Sequence, residues 1–221
     1  MKLVRAGALL FVVGAARAAG AQDLSALIAN DRAASAELAA IIVATQESGL
    51  PVEPIIAKIR YAVLVAHAPS TKIISTARAM AARLEEARKA LAPHPTDPDI
   101  VAGEDALSSG VSPKSLQDVR KVSANRPVAV PLGVLAQLVT SRVDEKRAAK
   151  IVTDLIKRGA SGEQLVALGN EVNTDVAMGT QVNSALELRM NRLNAVLGLP
   201  SANGDAATAP TLQSGDPRKK P

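Results

Sequence analysis

One short phrase recurs along this chain and limits it to a succession of short helices. It reads Gly49-Leu50-Pro51-Val52-Glu53-Pro54-Ile55, then Gly110-Val111-Ser112-Pro113-Lys114-Ser115-Leu116, then Gly159-Ala160-Ser161-Gly162-Glu163-Gln164-Leu165. Each copy is a helix stop followed at once by a helix start. Gly closes a helix in the left-handed conformation. A Ser or Pro two residues later opens the next helix as N-cap or first-turn residue, and Ser161 with Gln164 fits a capping box. The sixth residue after the Gly begins a new apolar face. Looser copies keep the spacing without the Gly: His67 leads to Ile73, Arg126 to Leu132 and Arg142 to Ala148. His tolerates left-handed backbone better than most residues, so His67 needs no other role. The stops at 49, 67, 110, 126, 142, 159 and 179 leave one wide gap, between 67 and 110, with room for two more units.

Between the stops, apolar residues return every three to four positions, as on amphipathic helices. Residues 23–47 present Leu24, Leu27, Ile28, Leu38, Ile41 and Ile42; residues 51–66 present Val52, Ile55, Ile56, Ile59 and Val63. Residues 70–91 present Ile73, Ile74, Ala77, Met80, Leu84 and Leu91, and the later segments continue the pattern. No segment alternates as a strand would. The expected fold is all-α, an array of short helical hairpins, either α-solenoid-like or a compact helical bundle. Phe11 and Tyr61 are the only aromatic residues. The core therefore rests on Ala, Leu, Val and Ile, which make thin helices able to approach closely.

The two ends read differently from the body. Lys2 and Arg5 precede the apolar run Leu9-Leu10-Phe11-Val12-Val13, and Ala19-Gly20-Ala21 precedes Gln22. This is the pattern of a secretory signal peptide, with cleavage expected after Ala21, or after Ala18 as the alternative. The run is too short to cross a bilayer, and Arg17 interrupts it. The expected destination is periplasmic or secreted. Residues 1–21 hold three basic residues and no acid, so their loss takes the net charge from +5 to +2. Arg218, Lys219 and Lys220 supply more of the positive excess, which leaves a near-neutral body without the basic stripe of a nucleic-acid binder. The expected organisation is a signal peptide at 1–21, an N-terminal helical region at 22–92, a Pro-rich loop at 93–98, a C-terminal helical array at 99–198 and a disordered tail at 199–221. The tail is rich in Gly, Ala, Pro, Ser and Thr and has little to bury.

Candidate chemistry is sparse. There is no Cys, hence no thiol nucleophile, thiolate metal site or disulfide. No nucleophile elbow, phosphate loop or metalloprotease pair is present. The acidic pairs Glu85-Glu86 and Asp144-Glu145 are sequence neighbours, which diverge on a helix. His94, Asp97 and Asp99, with Glu104 and Asp105 close behind, are residue types that bind divalent metal, although Asp97 or Asp99 also serves as the N-cap of a helix starting near Ile100. Tyr61 lies off the apolar stripe of its helix, beside Arg60. The expectation is that it packs on the next helix; exposed, Tyr61 and Arg60 would be the candidate contact residues.

At its Gly-Leu-Pro-Val-Glu-Pro-Ile and Gly-Val-Ser-Pro-Lys-Ser-Leu phrases the chain resembles uncharacterised exported bacterial proteins with Ala-rich helical repeats, over residues 45–198. That resemblance implies a fold and export, and brings no functional residues. The functional expectation is an exported helical scaffold, adaptor or binding module with a protein partner in the cell envelope. It involves no cofactor, no catalysis, no nucleic acid and no membrane-spanning segment in the mature chain. One alternative is a small metal-dependent activity at the 94–105 loop. The other, if residues 1–21 are not a signal, is a helix-turn-helix DNA binder within 109–139.

Overall fold

The computed structural model describes residues 31–124 and 126–198. The expected signal segment, the residues of the first expected helix before Asp31, and the expected tail lie outside them. Among the described residues nine helices follow one another: α1 Arg32–Glu47, α2 Glu53–Leu64, α3 Ser70–Ala90, α4 Asp97–Ser108, α5 Pro113–Val122, α6 Ala129–Thr140, α7 Glu145–Lys157, α8 Gly162–Ala177 and α9 Val182–Val196. None of these residues is in a strand. The fold is all-α, as the periodicity predicts.

The stops behave as their chemistry requires. Gly49, Gly110, Gly159 and Gly179 all have positive φ, and His67 and Arg142 occupy the same left-handed region at φ 46° and 72°. After most of them the next N–H reaches back five residues. Leu50 donates to Thr45 O, Val111 to Ala106 O, Val143 to Leu138 O and Ala160 to Leu155 O, which is the Schellman closure. Those same four donors are buried apolar residues, so each reversal is pinned into the core. Six residues past the stop, Ile55, Ile73, Leu116, Ala148 and Leu165 are buried as expected.

Two details differ from expectation. The gap between 67 and 110 holds one further turn, with His94 in the left-handed region (φ 53°), because α3 runs for 21 residues and closes at Leu91. The stop expected at Arg126 is at Ala124 (φ 50°), and Pro127 lengthens the turn that follows. The proline cluster also resolves differently. Pro93 and Pro95 lie in the turn, whereas Pro98 sits in the first turn of α4, where a missing N–H breaks no helical bond. The N-cap of α4 is Thr96, not Asp97 or Asp99. Thr96 Oγ1 accepts from Asp99 N, and Asp99 answers by accepting from Thr96 N.

Most helices pack on the next but one. α1 rests on α3, α3 on α5 and α5 on α7; α4 rests on α6 and α6 on α8. Contacts of α3 with α2 and α4, of α6 with α5 and α7, and of α8 with α9 join the two rows. This second-neighbour stacking in two layers is solenoid-like, and one apolar core runs through it from Ala34 to Leu186. Thin helices make the close approach possible. A Cβ added at Gly103 on α4 would lie 2.9 Å from Ala87 Cβ and 3.0 Å from Leu91 Cδ1 on the α3 side.

Asp99 extends the α4 cap into the next unit. It is only 2% exposed, and its Oδ1 accepts from Val128 N at 2.7 Å and Ala129 N at 2.9 Å. Val128 is the N-cap of α6 and has no capping side chain of its own. A carboxylate from α4 therefore meets the orphan donors and positive dipole end of α6.

Gly103→Ala should destabilise the fold by about 1–3 kcal/mol through overpacking. Gly133→Ala on α6, where nothing lies within 4 Å, should stabilise it by about 0.5–1 kcal/mol. Urea unfolding of both variants checks the opposite signs. Asp99→Ala should cost about 2–4 kcal/mol, because it leaves buried N–H groups without a partner. An unfolding midpoint at the wild-type value would show that Asp99 does not hold α6.

Candidate functional site: a lysine-lined groove between α5 and α7

The sequence candidates are not brought together. Tyr61 is 56% exposed, next to exposed Leu64 and Val65 on the same face of α2. It does not pack on the next helix, because α2 is at the start of its row and has no neighbour on that side among the described helices. Arg60 is also exposed, on the adjacent position of α2. His94 is a left-handed residue of the turn after α3, Asp99 holds α6, and Glu104 is buried and accepts from Arg83 Nε at 2.8 Å. Burial pushes the Glu104 carboxyl above its ordinary value, an effect that Arg83 opposes. Among the described residues no three His, Asp or Glu side chains are close enough to hold a metal ion. The helix pair within 109–139 is α5 and α6. Of these, α6 carries no charged residue and buries Leu132, Leu135 and Leu138 in the stack.

A large concavity lies elsewhere, between α5 and α7, with a volume of about 920 Å³. It is built from the turns upward. Ser112 caps α5, accepting from Ser115 N at 3.3 Å. Asp144 caps α7, accepting from Arg147 N at 3.0 Å. The two caps open parallel, stacked helices, and the first residue of α7 reaches back to the first turn of α5. Glu145 Oε1 accepts from Ser112 N at 3.2 Å, Ser112 Oγ at 2.9 Å and Ser115 Oγ at 2.5 Å. Burial alone would raise the Glu145 carboxyl, but the donors Ser115 and Ser112 outweigh it and hold the group below its ordinary 4.5. A carboxylate so stabilised is a weak base, and Ser115 is buried at 6% exposure. The cluster fastens α5 to α7 and closes one end of the groove.

The groove's walls are cationic. Lys114 and Lys121 of α5 face Lys146, Lys150 and Lys157 of α7, against three carboxylates, Asp118, Glu145 and Asp154. Glu145 is occupied by the serines. Asp118 pairs with Lys114 at 3.0 Å, and Asp154 pairs with Lys150 at 2.5 Å and Lys157 at 3.8 Å. Lys121 and Lys146 have no ion-pair partner among the described residues. The net result is five lysines against three carboxylates over a concave floor. The sequence hides this, because Asp144-Glu145-Lys146-Arg147 reads as a mixed-sign solvated face. The one available signal was register. Glu145 stands three residues after a stop and Ser112 two residues after another, so stacked turns put them side by side.

No protein-family model, curated protein or solved structure matches the chain.

Because the Glu145 carboxyl sits below 4.5 in the folded protein, it adds stability that is complete above that pH. The contribution fades as pH falls through the lower folded value, since the unfolded state then binds more protons. Glu145→Gln should therefore lose less stability than the parent between pH 7 and pH 3 in urea titrations. Ser115→Ala should cost about 1–2 kcal/mol at pH 7. Equal losses in parent and Glu145→Gln would exclude the clamp.

Proposed function

We propose that the protein is an exported helical binding module, in the periplasm or secreted, whose α5–α7 groove holds an acidic segment of a protein partner in the cell envelope. The observation that carries this reading is the groove itself. It is large and concave, with walls from two helices clamped together by Glu145, and its five lysines outnumber its three carboxylates. Solvated lysines alone would spread their charge over convex surface. Here both rows face one floor, which focuses the field on whatever lies between them. Among the described residues no helix is long and apolar enough to cross a membrane. The pattern of residues 1–21 supports export, and the repeat architecture supports an adaptor, since stacked helices commonly work through such elongated grooves.

An acidic partner makes two kinds of contact in this groove. Its carboxylates pair with Lys121 and Lys146, and its backbone lies over the aliphatic stems of the neighbouring lysines. Such binding is fast and salt-sensitive.

A fluorescein-labelled Asp/Glu-rich peptide should bind the full chain in anisotropy titrations, with affinity falling as ionic strength rises. The double variant Lys121→Glu, Lys146→Glu should bind it about tenfold or more weakly with an unchanged helical circular-dichroism spectrum. Binding that ignores both salt and the double substitution would refute the groove. Fractionation and intact mass of the natively produced protein test the exported part. A chain starting at Gln22 outside the cytoplasm is expected, and a full-length cytoplasmic chain would overturn it.

A further inference from the structure

Charge is divided unevenly along the stack. Residues 31–110, which hold α1 to α4, carry ten acidic and eight basic side chains. Residues 111–198, which hold α5 to α9, carry eight acidic and twelve basic ones. One part of the stack is therefore net negative and the other net positive, so unlike parts of two copies attract.

The negative part presents an acidic face. Glu53 and Asp97 are the first residues of α2 and α4. With Asp105 they line one cleft between these helices, which no cationic side chain lines. All three are exposed. Lys58 of α2 acts on Asp105, which leaves the excess of negative charge at Glu53 and Asp97. Exposed Pro98 and half-buried Pro54 and Val101 supply apolar surface beside them. The carboxylates stand at two stations. Asp105 follows Asp97 by eight residues, about 12 Å along α4.

The lysine-lined groove has two stations at a matching separation. Lys114 and Lys146 stand in the first turns of α5 and α7, and Lys121 and Lys157 in the last turns. They are seven residues apart on α5 and eleven on α7, about 10 and 17 Å. The acidic spacing falls between the two.

We infer that the acidic partner of the lysine-lined groove is a second copy of this chain, which docks its α2–α4 face there. Glu53 and Asp97 meet the lysines of one station and Asp105 those of the other. Pro54 and Pro98 lie over the aliphatic stems of the lysines. This inference rests on the groove being a site for acidic segments, and it names the protein that supplies one. Both surfaces are fixed in one core, so only another copy can bring them together. The contact joins unlike surfaces, and each copy keeps one of each, so growth continues past the dimer unless a ring closes.

Sedimentation velocity of the full chain tests this. The parent should form species larger than a monomer at about 0.02 M ionic strength. It should be monomeric at about 1 M, where the Debye length is about 3 Å. A face variant, Glu53→Lys with Asp97→Lys, and the groove variant, Lys121→Glu with Lys146→Glu, should each be monomeric at low salt. An equimolar mixture of the two should associate again, because each reversed surface meets its opposite on the other variant. Circular dichroism should show all of these chains equally helical. The face variant leaves the groove intact and should bind the labelled Asp/Glu-rich peptide as the parent does. A parent that binds this peptide but stays monomeric at low salt would overturn the inference and leave the groove standing. A parent that does neither would overturn both. Association that survives the face variant, or a mixture that stays monomeric, would exclude the α2–α4 face as the docked surface.

Discussion

Every reversal among the described residues contains a left-handed residue, and half of these residues are followed directly by a buried apolar one. The left-handed residue ends the helix, and the buried residue fixes where the chain re-enters the core. Leu50, Val111, Val143 and Ala160 each close a Schellman bond and fill a core position. The next helix can therefore start in only one direction. Repeated along the chain, this reversal sets most helices beside the one two before them. The two-layer stack, the long grooves between second neighbours and the alignment of successive N-caps all follow from it.

Thin helices are the second requirement. A core with aromatic rings would hold α3 and α4 apart, whereas Ala87 and Gly103 let them nearly touch. At such distances backbone ends come within reach of side chains from the preceding unit. Asp99 reaches the first N–H groups of α6, and Glu145 reaches the first turn of α5. Both are carboxylates at or near one helix start engaging another helix start, where unpaired donors and positive dipole ends are concentrated. Similar polar bridges recur between Gln137 and Asn170 and between Ser141 and Asn173. Arg189 locks α9 to α8 by forking onto Asp175.

The candidate sites differ in how visible they were. Tyr61 stood out as the lone aromatic, and the structure leaves it on an outer face with Leu64 and Val65. The His94–Asp105 stretch looked like metal chemistry, and its members serve as a turn residue, a cap and an ion-pair partner. The lysine-lined groove could not be seen in the chain. Its residues come from two segments, each of which mixes both signs and reads alone as a solvated face.

The amino-acid sequence by itself determined the helical class, the stops at Gly49, Gly110 and Gly159, the caps at Ser112 and Ser161, and the buried residue six places after most stops. These depend on backbone conformation and hydrogen bonds within one or two turns, so the residues that decide them are sequence neighbours. Tertiary structure alone decided that Asp99 would hold α6 as well as complete the α4 cap, that Lys121 and Lys146 would line one groove outside any ion pair, and that Asn194 Oδ1 would be buried unpaired. In these cases the partner, or its absence, comes from another helix. A local pattern fixes which face of a helix is apolar, but not which side chains the opposing helix will set against its polar edge.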